Sequence, residues 1–79
     1  MNHYLATFYT QFAAFQSHKA LSQAEIKATL RPVPRSLSSS CGTCVDYQAD
    51  SPCLDQLASD LESVYEIQGR DYILLLHHE

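Results

Sequence analysis

The sequence predicts an α+β domain of the ferredoxin-like βαββαβ type, in which two helices cover one face of a four-stranded antiparallel sheet. Four segments have the alternating or short continuous apolar character of strands, and two have apolar residues at the three- and four-residue spacing of helices. They follow one another in the order strand, helix, strand, strand, helix, strand. The chain has 79 residues, of which 46% are hydrophobic, so it has material for one core, and we expect one domain over residues 1–79.

The first half of the chain is expected to form a strand, a helix and a strand. Residues 3–9 are rich in aromatic and β-favouring side chains, which predicts the first strand. From residue 10 the period changes, and small residues recur at three- and four-residue spacing over residues 10–23, which predicts a helix that packs closely on a sheet. Residues 26–31 alternate between apolar and polar side chains and predict the second strand. That strand should end at Pro32, because proline cannot donate a hydrogen bond to a ladder.

A polar loop over residues 36–42 leads into the second half, where residues 43–49 alternate again and predict the third strand. Ser51 then suits a helix N-cap and Pro52 suits the first helical position. The apolar stripe that follows predicts the second helix (Leu54, Leu57, Ala58, Leu61, Val64 and Tyr65). A turn over residues 68–71 separates this helix from a buried last strand over residues 72–76. Five aromatic residues are expected in the core or at its edge: Tyr4, Phe8, Phe12, Phe15 and Tyr72.

The charge pattern and the length exclude several classes of function. Residues 1–44 carry four basic and one acidic side chain, whereas residues 45–79 carry one basic and eight acidic side chains. The few basic residues cannot form the stripe that duplex nucleic acid requires, so no nucleic acid partner is expected. No segment approaches the ~20 apolar residues of a membrane span, and the first residues lack a secretory signal, which predicts a cytoplasmic protein without a membrane partner. So short a chain favours a carrier or accessory protein over a stand-alone enzyme.

The loop that ends at Cys41 is the segment best suited to chemistry. Neighbouring cations and backbone N–H groups favour the thiolate form of a cysteine, which is the nucleophilic form. Arg35 offers a fixed fork of donors for an anion, and Ser39 and Ser40 can donate hydrogen bonds to the same anion. Gly42 can adopt the unusual backbone dihedrals that such a loop needs. Cys41 is therefore the candidate nucleophile, and the alternative is that its thiol only fills a small gap in the core.

The same loop resembles a known family. Its segments Pro32-Val33-Pro34-Arg35 and Ser38-Ser39-Ser40-Cys41-Gly42 are similar to the motif of the selenium/sulfur carrier-like family of small bacterial domains, and the likeness extends over nearly the whole chain. The resemblance implies that sulfur or selenium is carried on Cys41, as a persulfide in the case of sulfur. It also implies partner enzymes, namely a cysteine desulfurase-like donor and an acceptor. No organic cofactor is implied.

A second thiol, Cys44, completes a C-x-x-C pair with Cys41. On a strand it should share a face with Asp46 and Gln48 and point towards solvent, where it could attack Cys41 after that residue has been modified. The pair would then release sulfide and close to a disulfide. A thiol-disulfide redox switch that uses Cys41 and Cys44 is therefore the alternative function.

Two further alternatives remain open at this stage. A zinc site would need Cys53 and one of His77 or His78 beside the C-x-x-C pair, but the usual second close pair of ligands is missing, so no metal site is predicted. Cys53 is better explained as a packing residue. A non-catalytic protein-interaction module, including a homodimer that pairs through an edge strand, is the third function class.

Overall fold

The computed structural model describes residues 1–78, which form one α-helix and five strands. In chain order the elements are β1 (Asn2–Phe8), α1 (Gln11–Gln23), β2 (Lys27–Pro32), β3 (Thr43–Ala49), a 3₁₀ turn (Leu54–Gln56), β4 (Leu61–Gln68) and β5 (Asp71–His77). The strands make one antiparallel sheet in the order β2-β3-β1-β4-β5, so β1 is its central strand. Within the described residues, no helix has the length and apolar character needed to cross a membrane.

The first half of the chain folds as its pattern predicts. Thr10 caps α1, because its side-chain oxygen accepts a hydrogen bond from the Ala13 N–H at 3.1 Å. The face of α1 towards the sheet is built mainly from small buried side chains, which allows close packing (Ala13, Ala14, Ser17 and Leu21). The third strand, β3, has the predicted bounds.

The ferredoxin-like arrangement with four strands and two helices is wrong, although the protein is an α+β fold. The segment predicted as the second helix contains the 3₁₀ turn and the strand β4 instead. Cys53 has a left-handed backbone with φ 54° and ψ 46°, so no helix continues from Pro52. Val64 and Tyr65 are β-favouring residues, and β4 pairs with β1 on the side that β3 leaves open. The apolar spacing of this segment fits both a helix and a strand, and its pairing with β1 on one side and β5 on the other selects the strand.

The sheet is buried on both faces around β1. On the face that α1 covers, alternate residues of β1 join the core cluster (Tyr4, Ala6 and Phe8). On the opposite face, which we call the helix-free face, Leu5 and Thr7 are also buried. Tyr65 lies beside Leu5 in the β1–β4 register and packs edge-to-face against Tyr72, with 6.5 Å between the ring centroids. Side chains of the sheet itself therefore cover this second face.

Three of the five aromatic residues expected in or beside the core are found there. Tyr4 and Phe8 are buried, and Tyr72 is half-buried. The expectation is wrong for Phe12 and Phe15, which are 74% and 51% exposed. Both belong to the outer face of α1, because the small-residue stripe of that helix is the face that meets the sheet.

The last strand, β5, forms one edge of the sheet and exposes three aliphatic side chains, Ile73, Leu74 and Leu75. Its pairing with β4 shifts by one residue between Val64 and Tyr65, which leaves Leu75 as an extra residue in a β-bulge. An apolar edge with free backbone donors and acceptors is suited to pairing with a further strand.

Candidate functional site

The loop that carries Cys41 is a closed connection between β2 and β3. The Val33 N–H donates to the Gly42 carbonyl at 3.0 Å, so the two ends of the loop are held together. Inside it, the Leu37 N–H donates to the Pro34 carbonyl at 3.0 Å, which closes a turn. Gly42 has a φ of 75°, the left-handed region that glycine enters without steric strain. These contacts fix the point at which Cys41 leaves the loop and β3 begins.

Cys41 lies between the loop and the core, and it is partly exposed. Its side chain packs against the core cluster on the face of the sheet that α1 covers. The Cys41 thiol donates a hydrogen bond to the Thr43 carbonyl, with 3.2 Å between sulfur and oxygen. The sulfur is therefore held in one direction by the start of β3 and is not sealed among hydrocarbon side chains. A partly exposed, free thiol in a defined loop can accept a transferred atom.

The two serines before Cys41 both donate hydrogen bonds to other parts of the protein. The Ser39 hydroxyl donates to the Phe8 carbonyl at 3.3 Å, which ties the loop to the end of β1. The Ser40 N–H and hydroxyl donate to the two carboxylate oxygens of Glu62, at 3.2 and 3.3 Å. Ser40 thus binds an anion, and that anion is a side chain of the same protein. Nothing in the local sequence of Glu62 indicates this contact, because it joins two residues that are 22 positions apart in the chain.

The two nearby arginines have different surroundings. Arg35 is exposed, and within residues 1–78 it has no ion pair or side-chain hydrogen bond. Arg31 instead lies directly across from Cys44 in the β2–β3 register, and its guanidinium binds Asp46 with 2.5 Å between nitrogen and oxygen. The hydrogen bond and the charge of Asp46 raise the pKa of Arg31. Arg31 is therefore held by an ion pair, whereas the Arg35 guanidinium has no such partner among residues 1–78.

Cys44 shares a face with Asp46 and Gln48, as predicted, but the expectation that it points towards solvent is wrong. Its side chain is fully buried on the helix-free face, and its thiol donates a weak hydrogen bond to the Pro32 carbonyl at 3.7 Å. Burial raises the pKa of the Cys44 thiol to about 11, and the nearby Arg31 only partly offsets that effect. Cys44 is therefore a protonated, enclosed thiol at neutral pH. Cys41 and Cys44 pack on opposite faces of the sheet.

A row of polar side chains crosses the helix-free face at the level of Cys44. In register across the five strands it contains Arg31, Cys44, Thr7, Ser63 and His77. The Ser63 hydroxyl and the His77 Nδ1 are 2.7 Å apart and share a hydrogen bond. The Thr7 hydroxyl in the middle of the row is buried and has no partner among residues 1–78. An unpaired buried hydroxyl lowers stability, so this row is a weak point of the fold.

Asp46 of β3 binds a side chain of each neighbouring strand. Its carboxylate binds the His3 Nε2 at 2.5 Å through one oxygen and Arg31 through the other. The Asp46 side chain is only 13% exposed, so both contacts are formed in a partly dry environment. They join β1, β2 and β3 through a single carboxylate.

Cys53 lies away from the other two thiols, at the start of the 3₁₀ turn. Its thiol donates to the Ser51 carbonyl at 3.2 Å, and its side chain packs against the core cluster, as expected for a packing residue. It also lines a groove of about 470 Å³ together with Lys27 and Gln48. Among residues 1–78, no group of three or more histidine, cysteine or acidic side chains is placed to hold a metal ion, so the zinc alternative has no counterpart in this part of the chain.

Comparison with known proteins adds one finding to this geometry. No curated protein and no solved structure matches the chain. A family model, however, matches residues 3–66, which include all of β1 but its first residue, α1, β2, the Cys41 loop, β3 and Glu62. The match ends before β5. The chain belongs to the family described as "Putative Se/S carrier protein-like".

Proposed function

We propose that this protein carries a sulfur or selenium atom on Cys41 and passes it from a donor enzyme to an acceptor. The observation that carries the proposal is the position of Cys41: it is a free, partly exposed thiol at the end of a closed loop, in a chain of the Se/S carrier-like family. The two other cysteines are less suited. Cys44 is enclosed, and Cys53 packs beside a groove outside the loop.

The loading step is a transfer of one neutral sulfur atom between two thiols. The Cys41 thiolate attacks the terminal sulfur of a persulfide on the donor enzyme. A new sulfur–sulfur bond forms on Cys41, the sulfur–sulfur bond of the donor breaks, and the donor leaves as a thiolate. The proton of the donor persulfide stays on the transferred sulfur or passes to water. No oxidant or reductant is consumed, and unloading is the same reaction with an acceptor thiolate as the attacking group. Selenium would follow the same course.

The enclosure of Cys44 supports carriage over a redox switch. For the alternative reaction, the Cys44 thiol would attack the Cys41 persulfide, form a Cys41–Cys44 disulfide and release hydrosulfide. That attack needs an ionised, accessible thiol, whereas Cys44 is buried on the opposite face and its pKa is raised to about 11. A persulfide on Cys41 should therefore survive long enough to be delivered.

Arg35 and Ser39 have supporting roles in this proposal. Arg35 is exposed and can pair with the anionic persulfide or with a carboxylate of the partner enzyme. Ser39 holds the loop on the end of β1 through its bond to the Phe8 carbonyl. Gly42 supplies the left-handed turn that leads from Cys41 into β3.

Incubation with a cysteine desulfurase and cysteine tests the proposal. We expect intact-mass spectrometry to detect the addition of one sulfur atom, which a reductant removes. Cys41→Ser should abolish the adduct, and Cys53→Ser, the matched control for a partly exposed thiol, should retain it. An adduct that survives Cys41→Ser, or that never forms on the wild-type protein, would refute carriage on Cys41.

A protein-interaction role is a second candidate, and the edge strand β5 supports it. Ile73, Leu74 and Leu75 are 43%, 54% and 44% exposed, and alternate positions of an edge strand have unpaired backbone groups. Such an edge suits pairing with a strand of another chain, including a second copy. We expect Leu74→Lys to lower the apparent mass in analytical ultracentrifugation if two copies pair, and an unchanged monomeric mass in both proteins would count against self-pairing.

A further inference from the structure

We propose that the carboxylate of Glu62 is an internal substitute for the anion that Cys41 carries, so that loading with sulfur displaces Glu62 from Ser40. This inference rests on the proposed carrier function and adds a residue that controls the same site. Glu62 would occupy the hydrogen-bond donors of the loop while Cys41 is empty and would compete for them when Cys41 is loaded.

The geometry at Ser40 is that of a small anion site. The Ser40 N–H points at one carboxylate oxygen of Glu62 and the Ser40 hydroxyl at the other, at 3.2 and 3.3 Å. One backbone and one side-chain donor from the same residue thus converge on a single negative group. Ser40 precedes Cys41 directly, so these donors belong to the loop that presents the thiol.

The backbone of β4 explains why Glu62 reaches the loop. In the β1–β4 register, Thr7 pairs with Ser63 and Phe8 pairs with Leu61, so Glu62 is an extra residue between two paired positions. An extra residue of this kind forms a bulge, and bulges redirect a side chain away from the regular alternation. The Glu62 carbonyl is also held, because it accepts a hydrogen bond from the His78 N–H at 2.7 Å. The backbone of β4 therefore places Glu62 where its exposed carboxylate can reach Ser40.

The chemistry of the loaded thiol makes the two anions competitors. A terminal persulfide is more acidic than a thiol, and its anion requires donors that compensate its charge. Ser40 directly precedes Cys41, so in this proposal its donors turn from the Glu62 carboxylate to the persulfide when Cys41 is loaded. If both anions remained at the loop they would also repel each other. Glu62 therefore weakens the hold of Cys41 on its sulfur, which favours delivery to an acceptor.

The substitution Glu62→Gln tests this competition. The neutral amide removes the charge and leaves at most one acceptor oxygen for Ser40. In exchange with a fixed ratio of glutathione persulfide to glutathione, we expect Glu62→Gln to raise the equilibrium ratio of loaded to empty Cys41 by about 1.5- to fivefold, the range that an exposed charged contact gives. Glu66→Gln is the matched control, because it makes the same charge change on β4 without contact to Ser40, and its loading should equal that of the wild type.

A second measurement does not depend on the variant. In the wild-type protein, loading of Cys41 should move the amide NMR signal of Ser40, because its acceptor changes, and Cys41→Ser should abolish that shift. If the wild-type protein loads but Glu62→Gln does not load more than Glu66→Gln, or the Ser40 signal does not move, the competition is refuted and the carrier function stands. If the wild-type protein does not load on Cys41, both proposals fail.

Discussion

The difference in surroundings between Cys41 and Cys44 predicts a large difference in their rates of alkylation. Only the thiolate reacts with iodoacetamide. A rise in the pKa of Cys44 from 9.0 to about 11 lowers its thiolate fraction near neutral pH by about a hundredfold, because each unit of pKa is a factor of ten. The full burial of the side chain reduces access further. We therefore expect Cys44 in the folded protein to react at least about a hundred times more slowly than Cys44 in the unfolded chain.

Pulsed alkylation at pH 8, followed by digestion and peptide mass spectrometry, measures the rate at each cysteine separately. Cys41 should react within the range of exposed protein thiols, and Cys44 should become equally reactive only in denaturant. The variant Cys41→Ser provides the control that modification of one thiol does not open the site of the other. If Cys44 reacts in the folded protein within tenfold of its rate in denaturant, the enclosed state of Cys44 is wrong and the redox switch regains its support.

Three predictions concern stability. The ionisation of Cys44 should lower the free energy of unfolding by about 2 kcal/mol as the pH rises from about 9 to 11, because the unfolded thiol ionises near 9.0 and the folded one only near 11. The stabilising contribution is nearly complete below pH 9, and denaturant titrations at stepped pH measure its loss. Thr7→Val should leave stability unchanged or raise it by up to about 2 kcal/mol in the same titration, because it removes a buried hydroxyl that has no partner among residues 1–78. Asp46→Asn should lower stability by about 0.5–2 kcal/mol in thermal unfolding, because it weakens the contacts to His3 and Arg31, whose side chains are 36% and 49% exposed.

Each of these predictions has a control. Cys44→Ala should flatten the decline between pH 9 and 10, and a slope equal to that of the wild type would assign the decline to another group. A loss of about 1 kcal/mol in Thr7→Val, the usual effect of a lost hydrogen bond, would show that the hydroxyl has a partner after all. Asp50→Asn, at an exposed position without an ion pair among residues 1–78, should have little effect, and an equal loss in both variants would contradict the role of Asp46.

The elements that sequence predicts well are those decided by neighbours along the chain. The helix expected over residues 10–23, its small-residue face and the alternation of residues 43–49 are local features, and the structure confirms all three. The segment at Leu61 and Val64 is different, because its apolar spacing fits a helix face and a strand beside β1 equally well. The strand β4 is selected by two partners, β1 more than fifty residues earlier and β5 across the two-residue turn that follows Gln68. The pairing with β1 depends on a distant segment, which the residues of β4 alone do not reveal.

The candidate site shows the same division between local and distant information. The Cys41 loop is visible in the sequence because proline, serine and glycine residues define it locally, and the left-handed Gly42 has the dihedral that such a loop was expected to need. The burial of Cys44 is not visible, since a period of two assigns a side chain to a face but does not tell whether that face is covered. Here the covering comes from the sheet, where Leu5 and Thr7 on the central strand are themselves buried without a helix above them.

The position of Cys41 in the loop and the burial of Cys44 together explain why a C-x-x-C pair is compatible with the proposed carrier function. Two thiols separated by two residues are close enough along the chain to form a disulfide, and that disulfide would discharge any sulfur held on the first. A strand that starts between them changes the outcome, because Cys41 packs on the face that α1 covers whereas Cys44 belongs to the helix-free face. At the start of β3, Cys44 is paired with Thr7 of β1 and with Arg31 of β2, and its thiol is fully buried. If Cys41 carries sulfur as proposed, variants that loosen the start of β3 should expose the Cys44 thiol and shorten the lifetime of the persulfide.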